Sequence, residues 1–168
     1  MIINTERFQL KPLTTKYVTE KYLSWFGESD GNETYISFAK SHLDIEDLMQ
    51  YVSGREDKED VLFFGIFTDS EQHIGNVKYE PINIEDKFAT MGILIGDKEW
   101  RGKGVASEVI KASSEYLNKT YGIKYIDLVV NENNAHAVYV YKKMKFRVID
   151  DNETFERDEW YMAMSNHQ

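Results

Sequence analysis

The sequence predicts a mixed α/β domain around a central, mostly antiparallel sheet, with one splayed parallel strand pair and flanking helices. Helical and strand-like segments alternate along all 168 residues, a pattern typical of mixed folds. A hydrophobic fraction of 42% supplies a packed core, and the length suits one domain over residues 1–168. Apolar strands at 88–95 and 123–131 flank an amphipathic helix, and strands joined by such a crossover run parallel.

The first half of the chain alternates helix caps with apolar strands. Thr14 or Thr15 is predicted to cap a first helix, and Asp44 a second helix that ends at Gly54. Because residues 61–67 are apolar on both faces, they indicate a central strand. The strands predicted in this half are 2–11, 61–67 and 74–79.

The second half adds the parallel pair and two closing strands. Gly92 interrupts the strand 88–95, which indicates a β-bulge or a close approach of backbone there. The remaining elements are predicted as a helix from Val105 to Leu117, a strand at 123–130, a helix around 135–144, and closing strands at 146–149 and 155–164.

Composition excludes several classes of function. The chain has no cysteine, so it has neither thiolate metal ligands nor a cysteine nucleophile. Its net charge of −9 argues against nucleic acid as a partner, because phosphate binding requires a basic surface. The histidines lack metal-ligand spacing, so we expect no metal. They are His42, His73, His136 and His167.

Targeting signals are not evident in the sequence. Residues 1–7 show no basic segment followed by an apolar stretch, so we expect no secretory signal. No apolar run is long enough to span a bilayer. We therefore expect a cytoplasmic protein without a membrane partner.

The segment from Ile93 to Ala106 carries the strongest chemical signal. An apolar strand is followed by a polar loop, the turn Arg101-Gly102-Lys103-Gly104, and an amphipathic helix. A helix N-terminus presents unpaired N–H groups and partial positive charge, and glycines let a phosphate approach the backbone. The side chains of Arg101 and Lys103 add formal positive charge. This order predicts an anion cradle suited to a pyrophosphate.

Two other phosphate motifs fit this segment less well. A Walker A loop requires Gly, four residues and then Gly-Lys-Ser/Thr, which is absent. A dinucleotide fingerprint requires a third glycine, where this chain has Ser107, and an N-terminal strand–helix–strand unit. Asp127 lies at the expected distance of its ribose-binding acid, but within a strand rather than at its end. A strand-to-helix turn with incidental glycines stays open as a third interpretation.

Two motifs resemble those of the GNAT acetyltransferase superfamily. Residues 101–106, Arg-Gly-Lys-Gly-Val-Ala, resemble its Q/R-x-x-G-x-G/A signature. Residues 134–146 resemble its second motif, N-x-x-A/S-x-x-L-Y-x-K-x-G-F, except that Lys145 replaces the usual glycine. The start, residues 5–13, is similar to that of the branch containing the ribosomal-protein alanine acetyltransferases. The resemblance covers essentially the whole chain.

The resemblance implies acetyl-CoA as co-substrate and a role for each matching residue. Backbone groups of the strand would pair with the pantetheine arm, and the glycine-rich turn would hold the pyrophosphate. Tyr141 would protonate the departing thiolate, as a phenol can. The residues implied to bind the cofactor are Ile93, Leu94, Ile95, Arg101, Gly102, Lys103, Gly104, Val105, Ala106, Asn134 and Lys143.

The proton acceptor is less determined than the acid. Enzymes of the similar branch often carry a glutamate on the strand before the cradle, where this chain has Thr90 and Met91. Glu80, at the end of the preceding strand, is the first substitute, and a water chain is the alternative. Without cysteine, we expect direct attack of the amine on the thioester in a ternary complex. A backbone N–H around residues 93–95 would then meet the oxyanion.

A small primary amine, such as an amino sugar or a polyamine, is the expected acceptor. A protein N-terminal amine and a non-catalytic acyl-CoA-binding regulatory domain stay open as alternatives, and so does a homodimer. Aromatic side chains would either shape the acceptor pocket or pack in the core. They are Trp25, Phe26, Tyr35, Phe38, Tyr79, Phe155 and Trp160.

Overall fold

The fold is described by a computed structural model for residues 1–27 and 44–149, and for the backbone of residues 160–165. The strands are β1 (Ile3–Asn4), β2 (Phe8–Pro12), β3 (Leu62–Thr68), β4 (His73–Asn83), β5 (Phe88–Ile95), β6 (Tyr125–Asn131), β7 (Arg147–Ile149) and β8 (Trp160–Ser165). The α-helices are α1 (Glu20–Ser24), α2 (Ile45–Ser53), α3 (Val105–Tyr121) and α4 (Ala135–Lys143). None of the helices in these ranges has the length and apolar character needed to cross a membrane.

One mixed sheet contains all the described strands, in the order β1-β2-β3-β4-β5-β6-β8-β7. Neighbouring strands are antiparallel from β1 to β5. β5 and β6 run parallel and are joined by α3, which confirms the predicted fold class and its parallel pair. β8 and β7 extend the sheet by two further parallel pairings. The α4 crossover between β6 and β7 explains why these two strands share a direction.

The parallel pair separates soon after it begins. β5 and β6 are in register only from Phe88 and Tyr125 to Thr90 and Asp127. Beyond that point, residues 91–95 of β5 pair with β4, while β6 continues beside β8. The two strands therefore form a fork, which we define as the point after the Thr90–Asp127 pair. The predicted splay is present as the gap beyond this fork.

Each face of the sheet carries its own hydrophobic cluster. On the α3 face, Val109 and other residues of α3 pack against β4, β5 and β6. On the opposite face, called here the α2 face, Leu48 of α2 belongs to a second cluster. Met91 and Ile93 belong to the first cluster and Leu94 to the second. Alternation along a strand therefore assigns each β5 side chain to one face.

Residues 2–11 form two strands rather than the single one predicted. β1 and β2 pair antiparallel, and the turn between them is closed by Thr5. The Thr5 N–H donates to the Phe8 carbonyl at 2.9 Å, and the Thr5 hydroxyl oxygen accepts a hydrogen bond from the Phe8 N–H at 2.9 Å. A threonine hydroxyl that bonds nearby backbone favours a turn over an extended strand. The turn also brings Arg7 to the start of α3.

The first helix begins later than predicted, whereas the second begins where predicted. Thr15–Tyr17 forms only a 3₁₀ turn, because Val18 adopts an extended backbone with φ −76° and ψ 111°. α1 is capped instead by Thr19, whose side chain accepts a hydrogen bond from the Tyr22 N–H at 3.1 Å. Asp44 caps α2 through a reciprocal capping box, as its position predicted.

The irregularity between β4 and β5 lies on β4 and not at Gly92. Gly92 pairs regularly with Lys78. Farther along, the three steps from residue 79 to residue 82 of β4 oppose only two steps of β5, so β4 carries one extra residue at Glu80 and Pro81. Proline has no N–H for the ladder and is accommodated at bulges, which explains why the predicted bulge is displaced onto β4.

A histidine within an aromatic cluster makes the stability of the α2 face sensitive to pH. The His73 ring lies beside those of Tyr22, Trp25 and Phe67, at centroid distances of 4.9 to 5.3 Å. Its Nε2 lies 2.7 Å from the Asn76 Oδ1. Burial lowers the pKa of His73 below its usual value of 6.5, so the folded protein disfavours the imidazolium.

We expect acid to destabilise the protein through His73. Below about pH 6.5 the unfolded chain binds a proton that the folded state resists, so the free energy of unfolding falls as pH falls. His73→Gln should lose less of this free energy than wild type between about pH 7 and pH 5, measured by urea unfolding. His136→Gln, an exposed change on α4, should keep the wild-type slope. Parallel slopes for wild type and His73→Gln would contradict the prediction.

Candidate active site

A cleft of about 300 Å³ lies at the gap beyond the fork. It is bounded by the end of β5, the N-terminus of α3 and one side of α4. Leu94 and Lys103 do not line it, and the Leu94 side chain is buried on the α2 face instead. The predicted site residues that line the cleft are Ile93, Ile95, Arg101, Gly102, Gly104, Val105, Ala106, Asn134, Tyr141 and Lys143.

The glycine-rich turn leaves the N-terminus of α3 open. Gly104 is the N-cap of α3 in a left-handed conformation, with φ 76°, and no side chain caps the helix. Gly102 is also left-handed, and a Cβ built on it would meet nothing within 4 Å. The N–H groups of the first helical turn are therefore left to a ligand. This arrangement fits a phosphate, as the motif predicted.

The two basic side chains of the turn differ in what they contact. Arg101 Nε donates to the Ile95 carbonyl at 2.9 Å, which ties the turn to the end of β5. Lys103 lies at the edge, with its Nζ 5.6 Å from the centre of the Trp100 ring. Positive potential at the turn therefore comes from the helix N-terminus and Arg101, with a weaker contribution from Lys103, and Lys143 of α4 adds a further cation to the cleft lining.

Arg7 connects the N-terminal turn to the cradle, although neither motif contains it. Its Nε donates to Glu108 Oε1 at 2.7 Å, and its backbone N–H to Oε2 at 2.8 Å. Its Nη2 donates to the Lys103 carbonyl at 2.9 Å, and Thr5 adds a hydrogen bond to Glu108 at 2.6 Å. Burial raises the pKa of Glu108, but the hydrogen bonds from Thr5 and Arg7 outweigh it and hold that pKa below its usual value.

Tyr141 on α4 places a phenol in the cleft. The residue is only 6% exposed, and its ring lies 5.6 Å from that of Phe146. Burial raises the pKa of Tyr141 to about 12. The phenol is therefore protonated at neutral pH and has a proton to donate to a leaving group.

The turns at both ends of α4 position its cleft side. Asn134 caps the helix, since its side chain accepts a hydrogen bond from the Ala137 N–H at 3.3 Å. Lys145 adopts φ 76° where the similar family has glycine, and the Phe146 N–H donates to the Tyr141 carbonyl at 3.0 Å. The lysine thus retains the left-handed turn that usually follows a helix, and Phe146 is buried.

Glu80 lies outside the cleft. It lines a separate cavity of about 270 Å³ together with Arg55 and Lys58. Its Oε2 is 2.8 Å from Arg55 Nε and 3.7 Å from Lys78 Nζ. Two cations already contact this carboxylate, and the structure does not bring it together with Tyr141 in one cavity. No group of three or more metal-ligating side chains occurs within the described residues.

Three of the aromatic residues predicted for an acceptor pocket pack in the core. Trp25 and Phe26 are buried in the cluster of the α2 face. Tyr79 is buried on the α3 face, where its hydroxyl lies 2.8 Å from Ser113 Oγ. These three side chains therefore pack in the core, which was the alternative that the sequence left open. Outside the described residues lie Tyr35, Phe38, Phe155 and the side chain of Trp160.

Several cleft residues were not predicted from the sequence, and most of them lie on α4. On a helix, positions three or four residues apart share a side. Ala137 is four residues before Tyr141, and Tyr139 is four before Lys143, so helical spacing could have identified them. The full set of unpredicted lining residues is Trp100, Ser107, His136, Ala137, Tyr139 and Val140.

Comparison with known protein families identifies the family to which the chain belongs. The acetyltransferase (GNAT) domain family matches residues 7–147, a span that contains β2 to β6, all four α-helices and the whole cleft. The chain belongs to the GNAT acetyltransferase family. The resemblance seen in the two sequence motifs is thereby confirmed.

Individual relatives differ in how much of the chain they match. A spermine/spermidine N(1)-acetyltransferase from Bacillus subtilis (strain 168) is 35% identical over 51 residues, which are 30% of this chain and 34%, about a third, of the relative. The human alpha/beta-tubulin-N-acetyltransferase 9 is 22% identical over 158 residues, covering 88% of this chain and 75% of the relative. A solved chimera of the Vibrio cholerae spermidine N-acetyltransferase SpeG and hSSAT shares the fold of this GNAT protein, with a TM-score of 0.75, 20% identity, and coverage of 93% and 91% of the two chains.

Arg7 gives a prediction about the cradle of this GNAT protein. Arg7→Ala should weaken acetyl-CoA binding by about 10-fold or more, because a hydrogen bond to a charged group contributes about 1.5 kcal/mol or more and the Lys103 carbonyl would lose its anchor. Calorimetric titration with acetyl-CoA measures this. Arg55→Ala removes the same side chain from the α2 face and should leave the Kd unchanged. Equal affinities for wild type and Arg7→Ala would show that the turn holds its shape without Arg7.

Proposed function

We propose that this GNAT protein transfers an acetyl group from acetyl-CoA to a small primary amine of the polyamine class. The observation that carries the proposal is the coincidence, in one cleft, of an uncapped helix N-terminus behind two left-handed glycines and a protonated, buried phenol. The first feature suits a pyrophosphate and the second a leaving thiolate. Neither feature alone supports acyl transfer, but their presence in one cleft does.

The cofactor would lie along the gap beyond the fork. The backbone of Ile93–Ile95 would pair with the pantetheine arm in the manner of an added strand. The turn from Arg101 to Gly104 and the first turn of α3 would hold the pyrophosphate. Asn134 and Lys143 line the same cleft on α4 and would contact the arm and the phosphates.

The absence of cysteine supports direct transfer of the acetyl group to the amine. The thioester supplies an activated acyl carbon, and the chain has no cysteine to carry the acetyl group. The neutral amine would attack that carbon, a backbone N–H near residues 93–95 would stabilise the oxyanion, and the C–S bond would break. Tyr141 would donate a hydrogen bond to the sulfur as the thiolate leaves. The amine would lose its proton to a chain of water, because Glu80 lies in another cavity and is paired with Arg55 and Lys78.

The acceptor class is supported by charge and by relatives. Polyamines are cations, and a net charge of −9 raises their local concentration. Two of the similar proteins act, by name, on spermidine or spermine. The similarity to a tubulin N-acetyltransferase over 88% of this chain supports a protein amine as the second candidate.

A thiol-release assay with an acceptor panel tests the proposal. Spermidine, spermine, glucosamine and a peptide with a free N-terminus would each be offered with acetyl-CoA. Preferential release of thiol with the polyamines supports the proposed class, and preference for the peptide favours the second candidate. Binding of acetyl-CoA by calorimetry without release for any amine would indicate a non-catalytic acyl-CoA-binding domain.

A further inference from the structure

Asp127 is a carboxylate at the fork that the proposed mechanism does not use. It forms the last registered pair of the parallel strands, opposite Thr90. Its Oδ1 is buried and has no hydrogen-bond partner among the described residues. A buried carboxylate oxygen without a donor costs free energy, and such a cost is common where a ligand supplies the missing partner.

Because side chains alternate between the two faces along β6, Asp127 lies on the face of the sheet opposite α3. Ile126, Leu128 and Val130 belong to the cluster of the α3 face. Asp127 and Val129 lie between them in sequence and therefore point to the α2 face. Acetyl-CoA would occupy the α3 side of the gap, so a second substrate that approaches from the α2 side would meet Asp127 first.

Among the described residues, those of β5 leave room for a ligand beside Asp127. On β5, Gly92 is the residue after Thr90 on the same face, and it contributes no side chain. Gly92 is partly exposed, and Val129 is 56% exposed. Gly92 lies two residues beyond Thr90, the registered partner of Asp127, so the space above Gly92 lies at the fork on the same face of the sheet as the Asp127 carboxyl.

The charge of Asp127 suits a cation. Burial raises the pKa of its carboxyl above the usual value, and a hydrogen bond from the Thr90 side chain offsets part of this effect. In contrast to Glu80, which contacts Arg55 and Lys78, Asp127 has no ion pair within the described residues. A cationic ligand would compensate the desolvated carboxylate, which none of the described basic side chains does.

We infer that Asp127 binds the amine acceptor, with its free Oδ1 accepting a hydrogen bond from the nitrogen that is acetylated. Ile93 lies on β5 three residues beyond Thr90, which is the registered partner of Asp127. Three residues correspond to about 10 Å of strand. Beyond the fork, the gap between β5 and β6 connects the two faces of the sheet. An amine bound at Asp127 would therefore reach the cleft through this gap. The inference rests on the proposed function and assigns the acceptor side of that site.

Asp127→Asn tests this role with spermidine as the probe amine. It keeps the size of the side chain and removes the charge. The variant should lower kcat/KM for spermidine about 10- to 100-fold, since hydrogen bonds between charged groups are worth that factor. Its Kd for acetyl-CoA should stay within twofold of wild type. Asp69→Asn, the same change at an exposed turn, should have no effect on either quantity.

The outcomes separate this inference from the proposed function. A kcat/KM within threefold of wild type for Asp127→Asn would overturn the role of Asp127, and so would an equal loss in Asp69→Asn. A large loss in Glu80→Gln with none in Asp127→Asn would assign the amine to Glu80 instead. Wild type that acetylates no amine would overturn the proposed function, and the inference with it.

If Asp127→Asn does not fold, Asp127→Glu applies the same test, because it keeps the charge but displaces the oxygens. Its kcat/KM should then fall about 10-fold, and an unchanged value would overturn the inference.

Discussion

Replacing Gly104 with glutamate is expected to weaken acetyl-CoA binding by about 100-fold or more. Gly104 sits at the uncapped N-terminus of α3, and a Cβ there would meet only Arg7 Nη2, at 3.7 Å. The new side chain would therefore extend into the space left for the pyrophosphate. A carboxylate within about 4 Å of a phosphate charge costs about 1 to 4 kcal/mol, depending on the local dielectric. Lost contacts between phosphate and backbone N–H groups add to that cost.

The opposite end of the same helix offers a matched control. Gly122 follows α3 with φ 71°, close to the φ of 76° at Gly104, and a Cβ there meets nothing within 4 Å. Gly122→Glu therefore imposes similar backbone strain about 25 Å away. Calorimetric titration should show normal affinity for this variant and thermal melts should show a similar loss of stability for both. If folded Gly104→Glu binds acetyl-CoA as tightly as wild type, the cofactor lies elsewhere. If wild type does not bind acetyl-CoA, the acetyl-CoA interpretation is wrong.

The parts of the site that are local in sequence were predictable. The cradle occupies six consecutive residues that form the turn before α3 and its first two positions, and its proposed function depends on backbone conformation that glycine permits. Tyr141 follows from the second motif in the same way, and α4 carries it into the cleft. The parallel order of β5 and β6 follows from the length of the segment between them. Each of these features depends on residues that lie within about 40 positions of one another in the sequence.

The parts that depend on distant contacts were not predictable. Arg7 meets Glu108 across 101 residues, and no local pattern indicates that pairing. Glu80 was predicted to reach the active site, but the extra residue on β4 and the cations Arg55 and Lys78 place it in another cavity. Asp127 was noticed only for its spacing from the glycines. Its importance depends on where the strands separate, which is a property of register and not of composition.

Tyr141→Phe is expected to lower kcat by about 100-fold or more, which is the usual contribution of a positioned proton donor. The pKa of about 12 keeps the phenol protonated, whereas an alkyl thiol such as cysteine has a pKa near 8.5. Complete proton transfer to a free thiolate would thus be uphill by about 3.5 pKa units, or about 5 kcal/mol. In the proposed mechanism the phenol would therefore donate a hydrogen bond while the C–S bond breaks, and its removal should affect kcat and leave acetyl-CoA binding unchanged.

Tyr139 provides the control on the same helix. Tyr139 also lines the cleft, but it is 63% exposed, so Tyr139→Phe removes a solvated hydroxyl and should change kcat less than twofold. Single-turnover kinetics with saturating acetyl-CoA and spermidine would separate the chemical step from product release. An equal loss in both variants would attribute the effect to the polarity of the cleft. A kcat for Tyr141→Phe within threefold of wild type would require the thiolate to leave unassisted, and the cleft would then serve only to bind the cofactor and the amine side by side.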